Sequence, residues 1–317
     1  MSSTTELSVI IPVLNEEENL VELYPKLKGV LDGLNRMYEI IFIDDGSTDN
    51  TFATLEKIHE KDKNVKVIRF RKNFGQTAAI SAGFNYAKGG IIVTMDGDLQ
   101  NDPGDIPLLL RNIEEGYDVV NGWRIDRKDP LLKKIPSRFS NWLARYLTKV
   151  EIHDFGCTLK AYRRGAVEKI ELYGEMHRYI PALLSWRGFK ITEIKVSHHP
   201  RRHGETKYGN WRLVKGFLDL INLKFWTQYS TRPLHFFGVL GLVQFIVGFL
   251  IGVYLSVIRL FFGVSIADRP LLLLAVLLVI LGVQFITFGF LSEIVVRIYY
   301  DKMGRKSFEI ERSLTDE

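Results

Sequence analysis

Two long stretches without charge constrain the fold of this chain more than any other feature of its sequence. Residues 234–258 contain no charged side chain, and residues 271–296 contain only Glu293, near their end. Each stretch is about 25 residues long, and about 20 apolar residues are enough to cross a bilayer as a helix. The sequence therefore predicts a two-helix transmembrane hairpin within residues 231–300. The alternative is a buried helical hairpin of a soluble protein, but two such runs exceed what a small core needs.

Basic residues around these stretches predict the orientation of the hairpin. Arg232 precedes the first stretch, and the short connection contains only Arg259 and Arg269. Four basic side chains follow within ten residues of the second stretch, namely Arg297, Lys302, Arg305 and Lys306. Because basic flanks stay on the cytoplasmic side, we expect a multi-pass protein of the inner or plasma membrane with both termini in the cytoplasm, 301–317 forming a tail. The N-terminus has no basic region before its apolar run, so we do not expect a signal peptide.

The first 121 residues alternate short apolar runs with helical patterns. Strands are predicted at 7–13, 39–43, 65–70, 91–95 and 118–121, with helices between them at about 17–34, 50–61, 76–87 and 104–115. Continuously apolar strands that alternate with helices indicate a mostly parallel sheet covered by helices on both faces. We therefore expect a Rossmann-like α/β domain over residues 1–208. No G-x-G-x-x-G follows the first strand, which argues against an ordinary dinucleotide-binding domain.

Two further segments mix basic residues with large apolar ones. Residues 209–230 directly precede the first apolar stretch, so we expect an amphipathic helix at the membrane interface. For residues 131–148, an interfacial helix and an ordinary core helix are equally open. The net charge is +5 and the pI about 9.1. This mild basicity suits a protein that meets an anionic bilayer or phosphorylated substrates, and is not the signature of a dedicated nucleic-acid binder.

Polar clusters follow three of the predicted strands, at residues 12–15, 44–47 and 96–98. Ligands of parallel sheets bind beyond the carboxyl ends of the strands, so these clusters should converge on one crevice. Asp96 and Asp98 suit a divalent cation, because Mg²⁺ takes oxygen ligands and shares them with substrate phosphates. Gly97 between them would let a diphosphate approach the backbone. The alternatives are an ordinary acidic turn and, for Asp44 and Asp45, capping of the next helix.

Several motifs together resemble a known family. PVLNE at 12–16, DDGSTD at 44–49 and DGDLQ at 96–100 occur in the order and spacing of family 2 glycosyltransferases of the GT-A fold. RKNFGQ at 71–76, DFGC at 154–157 and RHGETKY at 202–208 resemble the polyprenyl-phosphate branch. The resemblance covers residues 6 to about 220. The chain is similar to dolichol-phosphate mannose synthases and, more closely, to bacterial bactoprenol glucosyltransferases, whose two spans match residues 231–300.

The resemblance implies a role for each matching residue. It places at the nucleotide and sugar Pro12, Asn15, Glu16, Asp44, Asp45, Asn73, Gln76, Asp96 and Gln100. It implies that Asp96 and Asp98 bind Mg²⁺ or Mn²⁺. The implied catalytic residues are Asp98, Asp154, Arg202 and Lys207, with Asp154 at the junction of sugar and acceptor. The acceptor phosphate would contact Arg202, Lys207 and Tyr208.

The implied reaction moves a hexose from a nucleoside diphosphate sugar, preferably UDP-glucose, to undecaprenyl phosphate at the cytoplasmic membrane face. A monoalkyl phosphate has a second pKa of roughly 6, so the acceptor is already mostly dianionic and needs little proton removal. The harder task is holding two anions together, which basic side chains do electrostatically. No second carboxylate is evidently placed as a nucleophile, so we predict a single displacement with inversion at the sugar.

Three other functions stay open. One is the same reaction with GDP-mannose and a dolichol-type phosphate. Another is processive polysaccharide synthesis, although the chain lacks a Q-x-x-R-W motif and two spans are too few to line a polymer channel. The third is a membrane scaffold that binds nucleotide without turnover. A thin two-span membrane domain also favours a homo-oligomer, with a tetramer as one option.

Overall fold

The computed structural model describes residues 5–125, 141–168, 170–172, 174–200, 224, 232–266 and 270–303. Its contacts divide the chain into two compact units, Met1–Leu223 and Lys224–Glu317. The division falls inside the segment 209–230 that we expect at the membrane interface. That segment lies outside the described residues except for residue 224, as do residues 131–140, so neither interfacial-helix expectation can be followed along its whole length.

A mixed sheet forms the centre of the first unit. Within the described residues its strands are β1 (Leu7–Val13), β2 (Tyr38–Asp44), β3 (Val65–Arg69), β4 (Ile91–Thr94), β5 (Val119–Arg124), β6 (Lys160–Arg163) and β7 (Ile191–Val196). They lie in the order β3-β2-β1-β4-β6-β5-β7. β6 is antiparallel to both of its neighbours, and the other pairs are parallel. The predicted mostly parallel sheet is confirmed, whereas β6 and β7 were not predicted.

Helices cover both faces of this sheet. They are α1 (Glu17–Asp32), α2 (Thr51–Lys61), α3 (Gln76–Tyr86), α4 (Ile106–Glu114), α5 (141–148), α6 (Arg164–Val167) and α7 (Ile180–Trp186). One core contains residues of α1, α2 and α4, and the other contains residues of α3, α6 and α7. Successive strand residues point to opposite faces, and accordingly Ile11 joins the first core while Ile10 joins the second. This is why β1, β2 and β4 are apolar along most of their length.

Strand register brings the predicted polar clusters to one edge of the sheet. β1 lies between β2 and β4, and all three run parallel. Val13 pairs with Asp44, while Ile10 pairs with Thr94, the last residue of β4. Because parallel strands end at the same edge, the loops after β1, β2 and β4 are neighbours, as predicted.

Helix α5 has a buried and an exposed side. Ala144 is buried in a small core with Val150 and Phe155. Trp142 and Tyr146 are stacked on each other, with ring centroids 6.0 Å apart, and are 52 % and 71 % exposed. The described part of segment 131–148 therefore packs on the protein with one side and presents aromatic rings with the other.

The second unit consists of two long apolar helices, α8 (Pro233–Phe262) and α9 (Pro270–Met303). A Cβ on Gly241 would lie 2.6 Å from the carbonyl oxygen of Gly282, and a Cβ on Gly248 would lie 2.8 Å from that of Ala275. Small residues thus let the two backbones approach closely, as is common between membrane helices. In the most apolar 18-residue stretch of each helix, only 11 % is buried. The helices are therefore unlike buried core helices, and the predicted transmembrane hairpin is supported.

Candidate active site

The loops that follow β1 and β2 are joined by side-chain hydrogen bonds. The backbone N–H of Asn15 donates to Ser47 Oγ at 2.9 Å, and the backbone N–H of Thr48 donates to Asn15 Oδ1 at 2.8 Å. Asn15 has a φ of 52°, in the left-handed region that asparagine tolerates better than most residues. The backbone N–H of Glu16 donates to Thr51 Oγ1 at 2.8 Å. Asn15 and Glu16 therefore stand in a loop whose shape is fixed from β2.

Asp44 is fully buried at the end of β2. Its Oδ1 accepts a hydrogen bond from the backbone N–H of Ser47 at 2.8 Å. Its Oδ2 lies 3.3 Å from Arg69 Nε, yet no donor among the described residues forms a hydrogen bond with it. Pro12 lies on β1, directly beside β2. Asp44 thus has its charge compensated by Arg69, a residue that was not predicted, and keeps an acceptor position at the predicted nucleotide pocket.

Asp45 holds the loop between β3 and α3. Its Oδ1 accepts from the backbone N–H of Phe74 at 2.7 Å, and its Oδ2 accepts from that of Gly75 at 2.9 Å. Burial raises the pKa of Asp45, and the two hydrogen bonds oppose that rise. A Cβ on Gly46 would lie 2.5 Å from the carbonyl carbon of Lys72, so only glycine allows this contact. Asp45 was predicted at the nucleotide or sugar. The structure shows in addition that it holds the loop before α3, which was not predicted.

The carboxylate of Asp96 is oriented by two side chains. Gln76 Nε2 donates to Oδ1 at 2.7 Å, and the Thr158 hydroxyl donates to Oδ2 at 2.7 Å. Asn101 Nδ2 in turn donates to Thr158 Oγ1 at 2.9 Å. Gln76 therefore reaches the predicted site, but through Asp96. Asn73, which was also predicted there, is exposed in the loop before α3.

Asp98 is buried in a sharp turn after β4. Its Oδ1 accepts from the backbone N–H of Gln100 at 3.1 Å. Leu99 between them has a φ of 61°, a conformation that is costly for such a residue and is often found at functional sites. A Cβ on Gly97 would lie 2.8 Å from Val13 Cγ1. Gly97 thus lets the turn pack on the end of β1. This packing role was not predicted, and it adds to the expected approach of a diphosphate.

Asp154 forms a bidentate ion pair with Arg124, the last residue of β5. Arg124 Nε lies 2.7 Å from Oδ2, and Arg124 Nη2 lies 3.0 Å from Oδ1. The two side chains are 14 % and 4 % exposed. Asn121 Nδ2 donates to the carbonyl oxygen of Asp154 at 3.0 Å, which fixes the backbone beneath the pair. The predicted catalytic carboxylate is therefore preorganised by a cation that was not predicted.

Some site residues could not be followed and others were missed. Arg202, Lys207 and Tyr208, predicted at the acceptor phosphate, lie outside the described residues. Arg124 was missed because the predicted strand ended at residue 121, three residues too early. Had the strand been extended, Arg124 would have stood at a strand end like the aspartates. Thr158 and Asn101 carry no such signal, since Thr158 is 62 residues from Asp96 in the sequence and Asn101 acts on Asp96 through Thr158.

Comparison with known proteins identifies the family. The sequence pattern of the family described as Glycosyl transferase family 2 matches residues 8–171, more than half of the chain. The dodecaprenyl-phosphate galacturonate synthase of Rhizobium johnstonii is 40 % identical, over 98 % of this chain and 94 % of that protein. The undecaprenyl-phosphate 4-deoxy-4-formamido-L-arabinose transferase of Pseudomonas aeruginosa is 39 % identical, over 96 % and 89 %. The chain therefore belongs to glycosyl transferase family 2, and the predicted resemblance to its polyprenyl-phosphate branch is confirmed.

Solved structures support the fold. The glucosyl-3-phosphoglycerate synthase of Mycobacterium tuberculosis, crystallised with Mn²⁺, UDP-glucose and phosphoglyceric acid, matches with a TM-score of 0.56. The two share 18 % sequence identity over 69 % of this chain and 80 % of that one. At this identity the likeness concerns the fold alone, and the predicted GT-A fold is confirmed.

Proposed function

We propose that this protein transfers a sugar from a nucleoside diphosphate to a polyprenyl phosphate, with inversion at the sugar. The observation that carries the proposal is the arrangement at one edge of the sheet. There, Arg124 holds the carboxylate of Asp154 and feels the charge of Asp96, and Asp98 stands in the turn that follows Asp96. The same chain carries two helices apolar and long enough to cross a bilayer, which suits a lipid acceptor.

The carboxylates suit a divalent cation that shares its ligands with the donor. Among the described residues, no group of three or more His, Cys, Asp and Glu could hold a metal by itself. Mg²⁺ often uses only one or two carboxylates together with substrate phosphates, so Asp96 and Asp98 are sufficient. Gln76 and Thr158 hold the two Asp96 oxygens in place, and a carboxylate oxygen has more than one lone pair with which to meet a cation. A bound Mg²⁺ or Mn²⁺ would act as a Lewis acid that stabilises the departing diphosphate.

The chain's own residues supply recognition and electrostatics. In this proposal Asp44 accepts a hydrogen bond from the base or ribose, and Pro12, Asn15 and Glu16 line the same pocket. Asn73, Gln76 and Gln100 lie around the sugar and diphosphate. Asp154 stabilises the positive charge that builds on the sugar ring, as carboxylates do in glycoside hydrolysis. Arg202, Lys207 and Tyr208 bind the acceptor phosphate, whose dianion attacks the anomeric carbon.

The donor sugar is the finer part of the proposal. The resemblance of the sequence favours UDP-glucose. The relatives from Rhizobium johnstonii and Pseudomonas aeruginosa are instead named for galacturonate and 4-deoxy-4-formamido-L-arabinose. A test of the donor must therefore include all three sugars: glucose, galacturonate and 4-deoxy-4-formamido-L-arabinose.

The membrane arrangement is proposed on the charge pattern. Both chain ends and the catalytic unit, Met1–Leu223, are cytoplasmic, and segments 131–148 and 209–230 lie at the interface. The thin two-span membrane domain adds self-association to the proposal. The exposed pair Trp142 and Tyr146 supports an interfacial α5, because such rings sit at headgroup level.

A transfer assay tests this proposal. The detergent-purified protein is incubated with Mg²⁺ or Mn²⁺, undecaprenyl phosphate and labelled nucleotide sugars, including UDP-glucose, UDP-galacturonate, nucleotide-linked 4-deoxy-4-formamido-L-arabinose and GDP-mannose. We expect label in the organic phase from one donor, and none with Asp98→Ala. Transfer from GDP-mannose alone would favour the mannose alternative. No lipid-linked label from any donor, with UDP binding verified, would contradict the proposal and favour a scaffold.

A further inference from the structure

A lysine is buried beneath the candidate active site. Lys160, the first residue of β6, is 2 % exposed. Its Nζ donates to the carbonyl oxygens of Phe155 and Arg178, both at 3.2 Å. Within the described residues no carboxylate forms an ion pair with it. Lysine is almost never fully buried without a charged partner, because the desolvation of its ammonium is costly. Such a residue calls for a functional explanation.

The first carbonyl that Lys160 binds belongs to the turn of Asp154. This turn is closed by a hydrogen bond from the backbone N–H of Cys157 to the carbonyl oxygen of Asp154 at 3.3 Å. Arg124 binds the Asp154 carboxylate, and Lys160 binds the backbone one residue further on. The turn is therefore held by a cation on each side, and without Lys160 the carbonyl of Phe155 would lose its buried donor.

The second carbonyl leads to Asp96. Arg178 lies in the 3-10 turn Met176–Tyr179, whose His177 Nδ1 lies 2.6 Å from Thr77 Oγ1. Thr77 directly follows Gln76, which binds Asp96. Burial lowers the pKa of His177 to about 3, so this ring is neutral and acts as a hydrogen-bonding partner only. Lys160 thus joins the turn that carries Asp154 to the segment that orients Asp96.

Charge balance gives the same residue a second task. Burial lowers the pKa of Lys160 to about 8, and the charges of Asp154 and Asp96 oppose this decrease. Lys160 therefore keeps its proton at neutral pH, and together with Arg124 it offsets these two carboxylates. A neutral side chain of similar length would remove one of these two cations.

We propose that Lys160 is a positioning residue for sugar transfer: its buried ammonium fixes the turn of Asp154 against the turn Met176–Tyr179 and so holds Asp154 and Asp96 in their catalytic arrangement. This inference rests on the proposed function of the site. Lys160 does not itself meet the nucleotide. Its loss should therefore lower kcat far more than the affinity for UDP, because Gln76 and Thr158 still orient Asp96.

The test compares Lys160→Met with Lys160→Arg and with Lys57→Met, which changes an exposed lysine on α2. Each full-length protein is measured for kcat with the donor that wild type uses and for its UDP affinity by calorimetry with Mn²⁺. Rates are expressed per UDP-binding site. For Lys160→Met we expect kcat to fall about 10- to 100-fold, as for other residues that orient site ligands. Its UDP affinity should change less than about threefold.

The controls decide between positioning and general damage. Lys160→Arg retains charge and donors and should recover kcat to within about fivefold of wild type, and Lys57→Met should equal wild type. A kcat of Lys160→Met equal to wild type would overturn the inference, as would an equal loss of kcat and UDP affinity in both Lys160 variants. If Lys160→Met does not fold, Lys160→Gln takes its place with the same expectation. A wild type that is inactive with every donor would instead contradict the proposed function.

Discussion

Removal of Arg124 should destabilise the catalytic unit severely. Arg124→Met leaves Asp154, whose side chain is 4 % exposed, without its bidentate partner. Breaking a buried ion pair from one side costs about 3–5 kcal/mol, because the remaining charge stays desolvated. In a domain of 150–250 residues each kcal/mol lowers Tm by about 2–4 °C, so we expect a decrease of roughly 6–20 °C. The measurement is thermal unfolding of the detergent-solubilised protein at pH 7.

An exposed ion pair of the same unit supplies the control. Arg111 on α4 and Glu115, which directly follows α4, are 76 % and 51 % exposed, so Arg111→Met should cost less than about 1 kcal/mol. The double variant Arg124→Met/Asp154→Asn should be more stable than Arg124→Met alone by at least about 1 kcal/mol, because it removes the buried carboxylate that has lost its guanidinium partner. Equal Tm values for Arg124→Met and Arg111→Met, or a double variant no more stable than the single one, would refute the reasoning.

Two further predictions concern stability. Glu39 accepts hydrogen bonds from Ser8 Oγ and the backbone N–H of Lys88, both at 2.6 Å, and from Lys66 Nζ; although burial acts against it, these partners lower the pKa of Glu39 below its ordinary 4.5. Glu39→Gln should therefore lower the free energy of unfolding by about 1–3 kcal/mol at pH 7. A lowered pKa contributes stability above the unfolded-state pKa and loses it as the pH falls, so the difference from wild type in denaturant unfolding should shrink below pH 4.5. A difference that does not depend on pH would contradict this. In the hairpin, Gly241→Ala should force α8 and α9 apart and lower Tm, at a cost of about 1–3 kcal/mol. Gly252→Ala is the control, because its added Cβ meets no atom within 4 Å. Equal Tm values for the two variants would contradict the close packing of the helices.

The first half of the catalytic unit could be predicted closely from the sequence. β1 is an apolar run that ends at a polar cluster, and the predicted and observed strands coincide at 7–13. The aspartates at the ends of β2 and β4 could be predicted for the same reason, since a buried strand followed by carboxylates indicates an edge where ligands bind. Both apolar helices were predicted from composition and length alone.

The other half depends on contacts that no local pattern reveals. β6 contains Lys160 and Arg163, so it does not look like a buried strand. The structure shows that its Lys160 ammonium is buried where the carbonyl oxygens of Phe155 and Arg178 accept its hydrogen bonds. β7 mixes apolar and polar residues, ITEIKV, and among the described strands it pairs with β5 at the edge of the sheet. Similarly, the partners of Asp96 and Asp154 are brought in by sheet pairing and turns, so their roles follow from the structure.

The mass of the lipid product tests the central claim most directly. Wild-type protein is incubated with undecaprenyl phosphate, a divalent cation and the donor chosen from the panel, and the extracted lipid is analysed by mass spectrometry. We predict that each polyprenyl phosphate gains one sugar residue, with release of one equivalent of nucleoside diphosphate, and that Asp98→Ala gives unmodified lipid. A ladder of several sugars per lipid would indicate a processive synthase, and unmodified lipid with the wild type would contradict sugar transfer to a polyprenyl phosphate.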